Sequence, residues 1–320
     1  MICRYQLLMI AALLFLSTAF SGCAAQADTK NADGRLQIVT TIFAPCDFAR
    51  AIAAEHADVT MLLPPGAESH TFEPTPQDII KIQNCDLFIY TGGVTDVWAA
   101  DILNSLNTEN LRTLKLLDCV ETVAEEIVEG METEDEPAHN EQASAELDEH
   151  VWTSPKNAAL IVQEISDAIC EIDAENAGDY TKNTTGELAA LAALDAEFAQ
   201  IASEAARKTI VFGDRFPFRY FADAYGLSYF AAFPGCAAET EPSAATVAFL
   251  IDKINAEKIP VVFHQEMSDG KMAETVSEAT GAKIRLFHAC HNVSKEELAA
   301  GATYLSLMRQ NAEALKEALY

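Results

Sequence analysis

Seven histidines stand at positions 56, 70, 139, 150, 264, 288 and 291. His70, His150 and His288 fall in loop-like segments, and His70 and His288 directly follow apolar strand patterns. A neutral imidazole offers a nitrogen lone pair and is a good ligand for Zn²⁺. The chemistry within reach is therefore coordination of a divalent cation. His70 lies in PPGAESHTFEPTPQD, residues 64–78, between the apolar run VTMLL and the amphipathic stretch IIKIQ. Pro64, Pro65, Pro74 and Pro76 stiffen that loop and lower its entropy, so a ligand there is ordered before a metal arrives. Glu73 is placed either to accept the other imidazole N–H or to cap the next helix. His56 is expected on the polar side of a surface helix. Scattered histidines are also common as plain loop or core residues, so spacing alone leaves both readings open. No HExxH pair and no GxSxG elbow occur, which disfavours a zinc hydrolase or other enzyme.

The elements that must hold these residues alternate regularly. Strand patterns LQIVTT, DVTMLL, DLFIY and TLKLL are separated by helical patterns, as are TIVFG, LSYFAAF, IPVVFH and KIRLF. Such alternation predicts parallel βαβ units. Leu191, Leu194, Phe198, Ile201 and Ala205 repeat at three and four residues inside a helical stretch spanning about 174–207, giving one apolar seam. Gly178 and Gly186 weaken its start. Ser243 reads as an N-cap, Gly281 as a C-terminal stop, and SKEE from Ser294 as a capping-box start of a closing helix. The fold class expected is α/β, two Rossmann-like lobes with parallel sheets joined by a long rigid helix. Ligands of such sheets bind beyond the carboxyl ends of the strands, where His70, His150 and His288 converge if the strands run parallel.

The division expected is residues 1–22 as a lipoprotein signal, 23–35 as a flexible tether and 36–173 as the first lobe. Residues 174–207 form the connector and 208–320 the second lobe. Arg4, the run LLMIAALLFLSTAF and Ser21-Gly22-Cys23 make a secretory signal, with Cys23 where lipidation would create the new N-terminus. The protein is thus expected to be extracytoplasmic and anchored to a bacterial cell membrane. Of 320 residues, 21 are Lys or Arg and 49 Asp or Glu, a net charge of −28. This excludes nucleic-acid binding through a basic patch and suits a cationic ligand. Residues 118–149 carry many acids and no Lys or Arg, so they read as a solvated loop, with His139 an exposed bystander. Six cysteines remain beyond Cys3 and Cys23. Cys236 and Cys290 both follow apolar strands and are the candidate disulfide. Cys85 and Cys119 read as buried thiols.

PPGAESHTFEPTPQD, EHVWTSP before a helix, and the two-lobe pattern resemble the zinc/manganese-type solute-binding lipoproteins of ABC importers, the ZnuA/TroA type. The likeness covers residues 36–320. It implies that His70 and His150 are metal ligands and that a third ligand opens the second lobe. Arg215, in GDRFPFRYFADAYGL, occupies that position, and a guanidinium cannot ligate. The family's last ligand follows the final strand, where FHACHN supplies His288 and His291. His288 fits best, and His291 is available to fill the place Arg215 leaves. Alternatively Glu239 or Glu241 completes the set, with Arg215 a salt-bridge partner to one of them. The implied role is capture of a metal ion and delivery to a cognate ABC permease, by a monomer with limited lobe closure. A nitrogen-rich set favours Zn²⁺ over Mn²⁺. An adhesin-like interaction lipoprotein with a structural metal is the other non-enzymatic reading.

Overall fold

A computed structural model of the chain describes residues 34–106, 111–131, 146–237 and 241–320. Strands β1 (Leu36–Thr40), β2 (Ala57–Met61), β3 (Leu87–Tyr90) and β4 (Arg112–Lys115) form one sheet in the order β2-β1-β3-β4. Strands β5 (Thr209–Phe216), β6 (Ser228–Pro234), β7 (Val261–His264) and β8 (Lys283–Leu286) form another in the order β6-β5-β7-β8. All neighbours in both sheets are parallel, so the second sheet repeats the connectivity of the first. Parallel pairing needs a crossover between strands. In the first sheet helices α1 (Phe43–Ala53), α2 (Pro76–Gln83) and α3 (Val97–Ser105) supply it.

Helix α4 (Pro155–Ile172) and the long α5 (Ala177–Glu204) follow. The crossovers of the second sheet are α6 (Arg219–Tyr225), α7 (Ala244–Glu257) and α8 (Lys271–Thr280). Ser243 caps α7 by accepting from the Thr246 N–H, and Gly281 ends α8 in the left-handed region. The capping box at Ser294 opens only a short helix, α9 (Lys295–Ala299). Gly301 then takes φ +77°, and Thr303 caps a separate final helix, α10 (Tyr304–Leu319). The single closing helix expected from the sequence is therefore two.

Helix α5 runs without a break through Gly178 and Gly186. Tertiary packing overrides their weak propensity. It packs on α1, α4, α6 and α10, helices from both halves of the chain. Leu191, Leu194, Phe198 and Ile201 of the apolar seam are buried, while Ala205 caps the end and is half-buried. One contiguous apolar cluster contains Leu36, Ile38 and Ile89 of the first sheet and Ile210, Phe212 and Phe263 of the second. The lobes thus share a core instead of meeting across a wet seam. Phe198 is fully buried and meets the Phe221 ring edge-on at 4.8 Å. Phe198→Ala is expected to lower unfolding free energy by about 3–5 kcal/mol, read as a shifted urea midpoint.

The ends of the acidic segment are not the solvated loop that composition suggested. Ala124 and Leu147 form an antiparallel bridge. Glu126 accepts from Tyr229 Oη at 2.9 Å and pairs with Arg219, while Glu125 accepts from the Cys236 N–H at 2.7 Å. The segment thereby straps the first half of the chain to the second lobe, using acids as tethers. Cys23, His139 and Glu239 lie outside the described residues.

Candidate metal centre

Loops at the carboxyl ends of the strands build the centre. His70 follows β2. Gly66 turns the chain with φ +85°, where a side chain would be strained. Thr75 and Asp78 form a capping box at α2, with Pro76 in the first turn. Glu73 is exposed and takes neither role considered for it. His291 follows β8. The two loops are stitched together: Asn292 Nδ2 donates to Pro64 O at 2.7 Å and Ala67 O at 2.8 Å, and the Gly66 N–H donates to Val293 O at 2.9 Å. Glu266, just after β7, accepts from the Ala289 N–H at 2.6 Å and the His291 N–H at 3.0 Å.

His150 comes from the far end of the acidic strap and is fully buried. Asp148 Oδ1 accepts both its backbone N–H, at 2.8 Å, and its ring Nδ1–H, at 2.9 Å. This carboxylate fixes the ring and leaves Nε2 as the outward nitrogen. Two residues on, Trp152 is wholly buried and donates Nε1–H to Ala289 O at 2.7 Å, while Tyr304 Oη donates to Trp152 O at 2.7 Å. The His150 and His291 segments therefore share one scaffold.

Ring nitrogens of His70, His150 and His291 lie within 4.8 Å of one another. The Nε2 atoms of His150 and His291 are buried and have no hydrogen-bond partner. Orphaned buried nitrogens are costly unless something fills the gap. Zn–N bonds of about 2.0–2.1 Å set tetrahedral nitrogens about 3.3 Å apart, so a small inward adjustment brings three imidazoles onto one ion.

The electrostatics divide the three. Burial, then the Arg215 guanidinium and His150, push His70 down to about 2. Burial and the neighbouring imidazoles hold His291 well below the usual imidazole range. Both are therefore neutral and available as ligands. Burial would also depress His150, but Asp148, with Glu149 and Glu125 behind it, outweighs that and raises it. A dication bound at Nε2 would take the place of its second proton. Asp148→Asn is expected to weaken zinc binding about 10–100-fold, measured by chelator competition, while the fold is retained.

His288, preferred from the sequence, does not join the cluster. Its Nδ1 accepts the Cys290 N–H at 2.9 Å, and Asn311 holds its backbone N–H and carbonyl. Cys290 adopts φ +60°, a left-handed turn that separates His288 from His291. Arg215 pairs with Glu68 at 2.9 Å, not with Glu241, and donates to Ala237 O at 3.2 Å. Gln265, with its amide oxygen turned inward, accepts from Arg215 Nε at 3.0 Å. Glu241 stands outside the trio, on a cleft of about 620 Å³ that Glu68, His70 and Arg215 also line. Cys236 and Cys290 are both free thiols, so the disulfide expected from the sequence is absent. Cys236 instead neighbours Glu149 and His150. Asp148 was missed from the sequence, although its place two residues before His150 in DEHVW was a usable signal.

The profile of ZnuA, described as the zinc-uptake complex component A periplasmic, matches residues 38–318. The high-affinity zinc uptake system protein ZnuA of Bacillus subtilis is 31% identical over 315 residues, covering 98% of this chain and 97% of that protein. The zinc-binding lipoprotein AdcA of Streptococcus pneumoniae is 31% identical over 306 residues, 95% of this chain, but the chain spans only 60% of that relative's length. Among solved structures, the metal-dependent lipoprotein YcdH of Bacillus subtilis superposes with a TM-score of 0.75 at 30% identity, covering 89% of this chain and all of that one. The Zn(II)-bound ZnuA-like domain of Streptococcus pneumoniae AdcA gives 0.73 at 28% identity, covering 89% of this chain and 99% of that chain. With two parallel-sheet lobes, a shared long helix and matches over nearly the whole described chain, the protein belongs to the family of the zinc-uptake complex component A.

Proposed function

We propose that the protein captures one Zn²⁺ outside the cytoplasm, tethered through Cys23, and delivers it as a monomer to a membrane ABC permease. Its family is one of solute-binding transport components, and the ion is cargo. The observation that carries this reading is the convergence of His70, His150 and His291, with two buried Nε2 atoms lacking any partner. An all-imidazole set favours Zn²⁺, whereas Mn²⁺ prefers carboxylate oxygen. The zinc-related names of its relatives support the same ion.

Calorimetry with a competing chelator tests it. The mature protein is expected to take one equivalent of Zn²⁺ and to discriminate against Mn²⁺. The His70→Ala/His291→Ala variant is expected to lose tight binding. Unchanged affinity in that variant overturns the ligand set. A preference for Mn²⁺ overturns the cargo.

A further inference from the structure

A second group of ligating atoms shares His150 with the trio. A carboxylate oxygen of Glu149, a ring nitrogen of His150 and Cys236 Sγ lie within 4.8 Å of one another. Glu149 is fully buried. Its Oε2 accepts the Thr95 N–H at 3.1 Å, but its Oε1 is enclosed with no hydrogen-bond donor. A buried carboxylate oxygen without a partner is unfavourable, and a cation satisfies it.

The surroundings are shaped to keep these groups close. A Cβ on Gly235 would stand 3.0 Å from His150 Cε1 and 2.9 Å from Phe216 O, so the backbone before Cys236 rests against the imidazole. A Cβ on Gly93 would stand 2.0 Å from Glu149 Oε2. Glu125 fixes the Cys236 backbone N–H, and Asp148 holds His150. The two anchoring acids add negative charge around the position.

We infer that Glu149, His150 and Cys236 form an auxiliary, sulfur-containing site for a thiophilic divalent cation such as Zn²⁺ or Cd²⁺. Binding replaces the thiol proton, which leaves to solvent, and forms a metal–thiolate bond with no change in oxidation state. Thiolate, imidazole and carboxylate are all accepted zinc ligands. The shared imidazole couples this site to the three-histidine centre. Asp148 already takes Nδ1, so an ion at either place draws on Nε2, and occupancy of one excludes the other. The inference rests on the trio reading only for that coupling.

Cobalt(II) alone is the probe, because a Co²⁺–thiolate bond gives an ultraviolet charge-transfer band that an imidazole-only site lacks. The His70→Ala/His291→Ala variant, with cysteines kept reduced, is expected to bind a weaker equivalent of Co²⁺ and show that band. Adding Cys236→Ser is expected to abolish the band and weaken the residual binding more than about tenfold. Absence of the band in the double variant, or its persistence after Cys236→Ser, overturns the site. Unchanged tight binding in the double variant instead defeats the trio, so the two failures are distinct. In the double variant, one equivalent of Co²⁺ is expected to slow Cys236 alkylation at least threefold, and unchanged alkylation overturns the site.

Discussion

His150→Ala is expected to lower zinc affinity more than about 100-fold, exceeding the loss on removing a hydrogen-bond partner of a ligand. Three effects add. One of three converging nitrogens disappears. Asp148, buried and matched to the ring through Nδ1, keeps a carboxylate in an enclosed place with only its backbone donor. The edge-on contact of the His150 ring with the His291 ring, at 4.7 Å, is lost as well. Chelator competition measures the affinity. Thermal unfolding gives a second readout, because a ligand that binds only the native state raises the midpoint with its concentration. Zinc is expected to raise the midpoint of the wild type and leave that of His150→Ala nearly unmoved. An equal zinc-induced rise in both would remove His150 from the ligand set.

Trp152→Ala is expected to lower unfolding free energy by about 3–5 kcal/mol and to disturb the centre as well. The indole is fully buried, and its Nε1–H is the donor for Ala289 O. Deleting it leaves a cavity and an unpaired carbonyl two residues from His291. Zinc affinity is expected to fall too, since the ring lies 4.8 Å from the His291 ring and 5.7 Å from that of His150. Trp152→Phe separates the causes. It fills most of the volume but donates nothing, so it should recover most of the stability and only part of the affinity. Urea unfolding and calorimetry on both variants check this. Full affinity in Trp152→Ala would show that the indole supports the fold without positioning the centre.

Much of the architecture was legible because its signals are local. The eight strand patterns alternate with helices of matching period, Ser243 and Ser294 cap helices through their hydroxyls, and Gly281 ends one through its left-handed backbone. His70 and His150 could be singled out through the resemblance of PPGAESHTFEPTPQD and EHVWTSP to the family's motifs. The choice between His288 and His291 was not legible. It depends on the left-handed backbone at Cys290, which no propensity predicts for cysteine. The partner of Arg215 was also hidden, because Glu68 is 147 residues away in sequence. Charge density misled for the acidic segment. Its total charge suggests solvation, yet at its described ends Glu125, Glu126 and Glu149 each find a specific donor from another element.

The common core beneath both sheets has a mechanical consequence. With apolar residues of the two halves fused around α5, opening them like a clamshell would tear hydrophobic contacts apart, which is prohibitive for routine unloading. In the proposed role, release of the ion is confined to the rim, where Asn292 and Gly66 lace the His70 and His291 loops together. Empty and loaded forms should have the same radius of gyration in solution scattering, while amide exchange differs only along those loops.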